Sequence, residues 1–200
     1  FGRLQEGEPL VPAEKRNAII SNIGSLMDNF AINHTFFINS RIPANRFKRQ
    51  DFMSNALALV LYKNVEALKA ELLLKMYLDK KLVVNQVFQN KIAVILDKLA
   101  EIDTYSSTRI YKKYHFIDMF HFLFENYLNI SKMNTKNIAK KFDKFEEKRL
   151  ANFNNPDVLI ENKKPSKEEK DLYEYIIAFR FNGADPDSIK TRLRVYNNLF

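Results

Sequence analysis

Two hundred residues fit one domain, or one domain with a small appendage, and 46% hydrophobic content with seventeen Phe and nine Tyr supplies a strongly aromatic core. Cysteine is absent, which excludes disulfide scaffolds and Cys-based zinc sites and fits a reducing, cytoplasmic compartment. Lys and Arg number 32 against 24 acids, a net +8 shared by both halves of the chain, and charge alone therefore implies only a weak long-range pull on polyanions.

Only four Gly occur, and apolar residues recur at three- and four-residue spacing, which predicts an all-α fold: an irregular bundle of about eight to nine helices. Pro12 opens the first helix, which continues to about Asn33, and Phe36 and Phe37 occupy a short turn or helical piece. Arg41-Ile42-Pro43-Ala44 breaks the chain. Helices follow at about 45–62, 65–78 and 83–102. Their apolar faces are Phe52, Ala56, Leu59 and Val60, then Leu68, Leu72 and Met76, then Val87, Ile92, Ile95 and Leu99. A helix at about 115–130 is apolar nearly all round, so it belongs at the centre of the bundle.

The next helix, about 135–152, is mostly Lys and Glu with a thin stripe of Ile138, Phe142 and Phe145, which places it on the surface. Ser166 followed by Glu169 is a capping-box start for a helix to about Phe181, Gly183 can end it, and Asp185-Pro186 opens the last helix. The organisation predicted is a main helical domain at 1–153, a linker-like loop at 154–165, and a C-terminal hairpin at 166–200 packed on the same domain. No apolar run approaches the roughly 20 residues of a membrane span, so no membrane partner is predicted.

Catalytic chemistry finds little support. His115 and His121 are six residues apart and lie about 240° from each other on a helix, too far round to chelate one metal. They read as histidines at the edge of an aromatic core, with an Asp118–His121 pair possible at three-residue spacing. Gly2, Gly7, Gly24 and Gly183 form no phosphate loop, and no Ser sits in a nucleophile motif. No catalytic residue, metal or cofactor is predicted for these residues.

Three basic clusters are the candidate nucleic-acid contacts. Arg41, Arg46, Lys48 and Arg49 surround a helix start, where backbone N–H groups can help hold a phosphate. Lys132, Lys136, Lys140, Lys144 and Lys148 are spaced four apart, each 400° step drifts the row about 40° into a slanted ridge, and Lys141 and Arg149 widen it. A solvated surface face is the ordinary reading of such a row; if it meets DNA, Lys136, Lys140 and Lys144 are the candidate backbone contacts. Arg192 and Arg194 on the last helix form the third cluster with Lys190; Arg194 can equally reach an acid on a neighbouring helix.

The opening stretch, from Phe1-Gly2-Arg3-Leu4-Gln5 through Gly7, Leu10 and Glu14 to Arg16-Asn17-Ala18, resembles a segment of the GmrS-like family of restriction and anti-phage defence proteins. That segment follows the family's ParB-like N-terminal domain. Arg46-Phe47-Lys48-Arg49-Gln50-Asp51-Phe52 is similar to the basic start of a later helix there, and Asp185-Pro186-Asp187-Ser188-Ile189-Lys190-Thr191-Arg192-Leu193, more loosely, to its closing helix.

The resemblance implies that this chain is the helical domain between a nucleotide-handling N-terminal domain and, in many members, an HNH-type nuclease. Neither catalytic motif falls on a position of this sequence. Implied partners are DNA, that N-terminal domain and a possible second copy. The competing reading is a protein–protein interaction or oligomerisation module with no nucleic-acid contact.

Overall fold

Hydrophobic periodicity is realised as helix along the chain, and the described residues contain no strand. The computed structural model describes residues 22–44, 47–62, 67–79, 81–82, 84–161, 164–181 and 183–200. The predicted start at Pro12 and the opening segment lie outside these residues. Among the described residues, nine α-helices follow in order: α1 Asn22–Asn33, α2 Thr35–Asn39, α3 Lys48–Leu61, α4 Ala70–Leu78, α5 Gln86–Tyr105, α6 Lys113–Glu125, α7 Thr135–Ala151, α8 Lys167–Arg180 and α9 Pro186–Leu199. Short 3-10 turns occupy Tyr127–Lys132 and Pro156–Leu159. The fold is an irregular all-α bundle.

Helix α6 packs against α3, α5 and α9. Its residues from His115 to Phe120 are all buried, as expected of a helix apolar nearly all round. Phe116 is the hub, with ring centroids of Phe36, Phe37, Phe52 and Phe120 between 5.4 and 5.9 Å away. Helix α3 is equally central, with every residue from Phe52 to Val60 buried. Each such ring buries on the order of 150–250 Å², and offset or tilted pairs are favoured over face-to-face sandwiches.

Local chemistry sets the helix boundaries. Asn85 caps α5 by accepting from the Phe88 N–H, so the helix starts at Gln86 and not at 83. The stripe Ile92, Ile95 and Leu99 is buried, but Val87 is 77% exposed. Five residues before Ile92, Val87 lies about 140° round the helix from it, in the first turn. Helix α6 stops at Glu125, short of 130; the Asn126 side chain donates to the Phe122 carbonyl, and a 3-10 turn follows.

Ser166 and Glu169 form the reciprocal capping box that their spacing predicts. Pro186 occupies the first turn of α9 after Asp185. Helices α8 and α9 pack as a hairpin, and α9 also lies on α6. Within 154–165, the turn at Pro156–Leu159 packs on α8 with Pro156 buried. Helix α8 ends at Arg180, before Gly183 can act as its terminator. Gly183 is required for space: a Cβ there would lie 2.5 Å from the Tyr114 ring.

Candidate nucleic-acid interface

Helix α7 divides its charged residues between two faces. Asn134 caps it by accepting from the Asn137 N–H. Ile138, Ala139, Phe142 and Phe145 face the core, which leaves Lys136, Lys140, Lys144 and Glu147 exposed on the other side. Lys136 Nζ sits 5.0 Å from the centre of the Tyr105 ring. Among the described residues, none of these three lysines has a carboxylate within ion-pair distance.

One end of the predicted five-lysine row behaves differently: Lys148 bonds to Glu168 at 2.6 Å. Lys141, next to Lys140, donates to the Leu199 carbonyl at 3.0 Å. Asp143 turns its carboxylate away from the lysines, accepting from Ser106 Oγ and from the N–H groups of Ser107 and Thr108. Burial opposes its charge, but those donors outweigh it and hold the carboxyl below its ordinary range. Glu147 is the acid that remains on the exposed face.

The cluster around the start of α3 is described in three of its four residues. Arg41 and Lys48 are exposed, and Arg46 lies outside the described residues. Arg49 Nε donates to the Ile42 carbonyl at 3.1 Å, which ties down the preceding loop. Phe47 precedes the helix with φ 55°, in the left-handed region, and gives it no side-chain cap.

The third cluster requires a correction. Arg192 is completely buried and cannot meet a phosphate. Its Nε lies 2.9 Å from Asp118 Oδ2, its Nη1 donates to the Gly183 carbonyl at 2.6 Å, and its guanidinium carbon sits 4.2 Å from the Tyr114 ring centre. Burial opposes the charge on Arg192, but the Asp118 carboxylate outweighs it and raises the pKa. Arg194 takes its alternative, pairing with Asp171 at 2.5 Å and with Glu174. Lys190 stands 3.6 Å from Asp187.

Asp118 is therefore committed to Arg192 and to the Tyr175 hydroxyl, which donates to it at 3.1 Å. The Asp118–His121 pair that the spacing allows does not form; His121 Nε2 stands 4.0 Å from Glu125. His115 is fully buried, with its Nε2 3.1 Å from Glu146 and its ring against Phe142 and Phe179. Arg149 completes this group with two bonds to Glu146, at 2.7 and 2.9 Å. Burial raises the Glu146 pKa, but His115 and then Arg149 overcome that and hold it down at about 2. Two ion pairs inside an aromatic core thus join α6, α7, the α8–α9 turn and α9. Sequence reading placed Glu146 among the solvated residues of α7; its i,i+3 spacing to Arg149 and its register with Phe142 are the signals that identify it.

A cleft of about 530 Å³ opens between α6, the start of α7 and the end of α9. Its polar lining is His121, Glu125 and the amides of Asn126, Asn134, Asn137 and Asn197. These groups supply hydrogen-bonding atoms but contain no hydroxyl or thiol nucleophile. Among the described residues, no group of three His, Asp or Glu is placed to hold a metal ion, and no helix is long and apolar enough to cross a membrane. Comparison with protein-family models, with curated proteins and with solved structures found no match.

Proposed function

We propose that this chain is a non-catalytic helical domain of a larger nucleotide-dependent, DNA-targeting bacterial restriction or anti-phage protein. It couples neighbouring domains and contacts the DNA backbone without sequence preference. The observation that carries the DNA contact is the exposed face of α7, where Lys136, Lys140 and Lys144 project with no carboxylate partner among the described residues. An unpaired, helix-borne row of ammonium groups is suited to phosphate contact, because binding releases counterions from the duplex and needs no base readout. The resemblance of the opening segment to the GmrS-like family supports the larger setting. A rigid aromatic core crossed by buried ion pairs suits an element that transmits force between domains.

The test is fluorescence anisotropy of a labelled 25-base-pair duplex at several salt concentrations. Binding should fall steeply with salt, and Lys136→Ala/Lys140→Ala/Lys144→Ala should reduce the slope of log K against log salt by up to about 2.7, close to 0.9 per lost phosphate contact. Absence of binding at low salt, with concentration-dependent self-association in sedimentation, would instead assign the domain to protein–protein contact.

A further inference from the structure

Where α7 ends, cations and aromatic rings alternate in a continuous run. Lys112 Nζ lies 5.8 Å from the Tyr111 ring centre and 6.0 Å from that of Phe179. The Arg149 guanidinium carbon is 4.6 Å from the centre of the Phe179 ring and 5.4 Å from that of Phe153. Arg180 then bridges Phe153 and Phe181, at 5.3 and 5.2 Å. Lys112, Phe179, Arg149 and Phe153 are buried or half-buried, Arg180 is exposed, and the ends are open: Phe181 is 57% exposed and Tyr111 41%.

The charges along this run are not balanced. Arg149 is matched by Glu146. Lys112 and Arg180 have no carboxylate within ion-pair distance among the described residues; Arg180 is held in place by donating to the Phe153 carbonyl at 2.8 Å. Burial and repulsion from Arg149 lower the Lys112 pKa, with Glu146 only partly opposing them. An anion near Lys112 and Arg180 would relieve that imbalance. Beyond Phe181 the surface carries Glu174, Asp185 and Asp187, but each is ion-paired, with Arg194, Lys69 and Lys190 respectively, which limits their repulsion of a phosphate chain.

We propose that this ladder binds single-stranded nucleic acid, with bases stacking on Phe181 and Tyr111 and phosphates meeting Arg180 and Lys112. Every base has a π-face that an exposed ring can cover, and guanidinium groups between rings add attraction to the same strand. A duplex hides its base faces, so the ladder favours single strands over the double strands proposed for the lysine face of α7. The two surfaces use different residues.

The chain contains no Trp, so Phe181→Trp places a unique reporter at the end of the ladder. Titration of the full 200-residue variant with a 15-nucleotide oligo(dT) should quench its fluorescence as a base stacks on the indole. With labelled oligo(dT), Phe181→Ala should weaken binding about 5- to 150-fold without changing the salt slope, and Arg180→Ala should lower that slope by about 0.7. Adding Lys136→Ala/Lys140→Ala/Lys144→Ala to the Trp variant should leave the quenching intact, which keeps this outcome separate from that of the lysine face. Unchanged Trp fluorescence at saturating oligonucleotide, or Phe181→Ala binding as tightly as the parent, would overturn the proposal. So would a 25-base-pair duplex that binds the Trp variant as tightly and quenches it equally.

Discussion

The two faces of α7 carry the same kinds of charged residue and put them in opposite environments. On one face Glu146 and Arg149 are withdrawn into the core with His115, bonded at short range and closed to water. On the other, Lys136, Lys140 and Lys144 stand in solvent with no acid partner among the described residues. The division teaches that charge count is a poor guide to a helix's role. A buried ion pair fixes geometry, and breaking it is costly because one charge is left stranded. An exposed lysine contributes little to folding and is available to a polyanion.

Arg192, on α9, is the buried cation whose loss should cost the most. Arg192→Ala strands Asp118 and leaves the Gly183 carbonyl without its donor. The expected loss is about 3–5 kcal/mol of stability, read from urea unfolding followed by circular dichroism. A loss within about 0.5 kcal/mol, the range of ordinary surface positions, would show that this arginine is not part of the folding core.

Glu146 tests the same idea through pH. Its folded pKa of about 2 lies below the ordinary 4.5, so its contribution is fully present above about pH 4.5 and lost as pH falls towards 2. That contribution is on the order of 3 kcal/mol. Glu146→Gln should therefore be destabilised at pH 7 and should show a smaller loss than the parent between pH 4.5 and 2.5, in unfolding curves recorded across that interval. Parallel curves for the two proteins would contradict the assignment.

Gly183→Ala forces a methyl group into the Tyr114 ring, which is itself packed on Arg192 and Phe179. A cost of about 1–3 kcal/mol is expected from such overpacking. Reversing the clash with Tyr114→Ala in the Gly183→Ala background should make the second substitution less damaging than it is in the parent, a coupling that a double-mutant cycle measures. The smallest stability effect belongs to the lysine face: Lys136→Ala/Lys140→Ala/Lys144→Ala should unfold within about 0.5 kcal/mol of the parent.

The helical architecture was legible because spacing alone reports it: the stripes at 52–60, 68–76 and 138–145 are all buried, and the Ser166–Glu169 box forms as written. Val87 was misplaced because its type matches the stripe while its angle does not. Arg192 and Glu146 were misread for a shared reason. Asp118 and His115, which meet them, lie on another helix at long sequence separation, so those pairings exist only once α6 is packed in place, and only the Glu146–Arg149 pair has a local spacing. The ladder from Tyr111 to Phe181 was invisible for the same reason, since its members come from the segment before α6, the end of α7 and the end of α8.

The most direct test of the lysine face is acetylation footprinting, with modification of each lysine read by mass spectrometry with and without a 25-base-pair duplex. Lys136, Lys140 and Lys144 should be reactive in the free protein and protected by the duplex, while Lys148 and Lys141, already engaged by Glu168 and the Leu199 carbonyl, should change little. Equal reactivity of the three lysines in the presence and absence of DNA would contradict the claim that this face is the DNA contact.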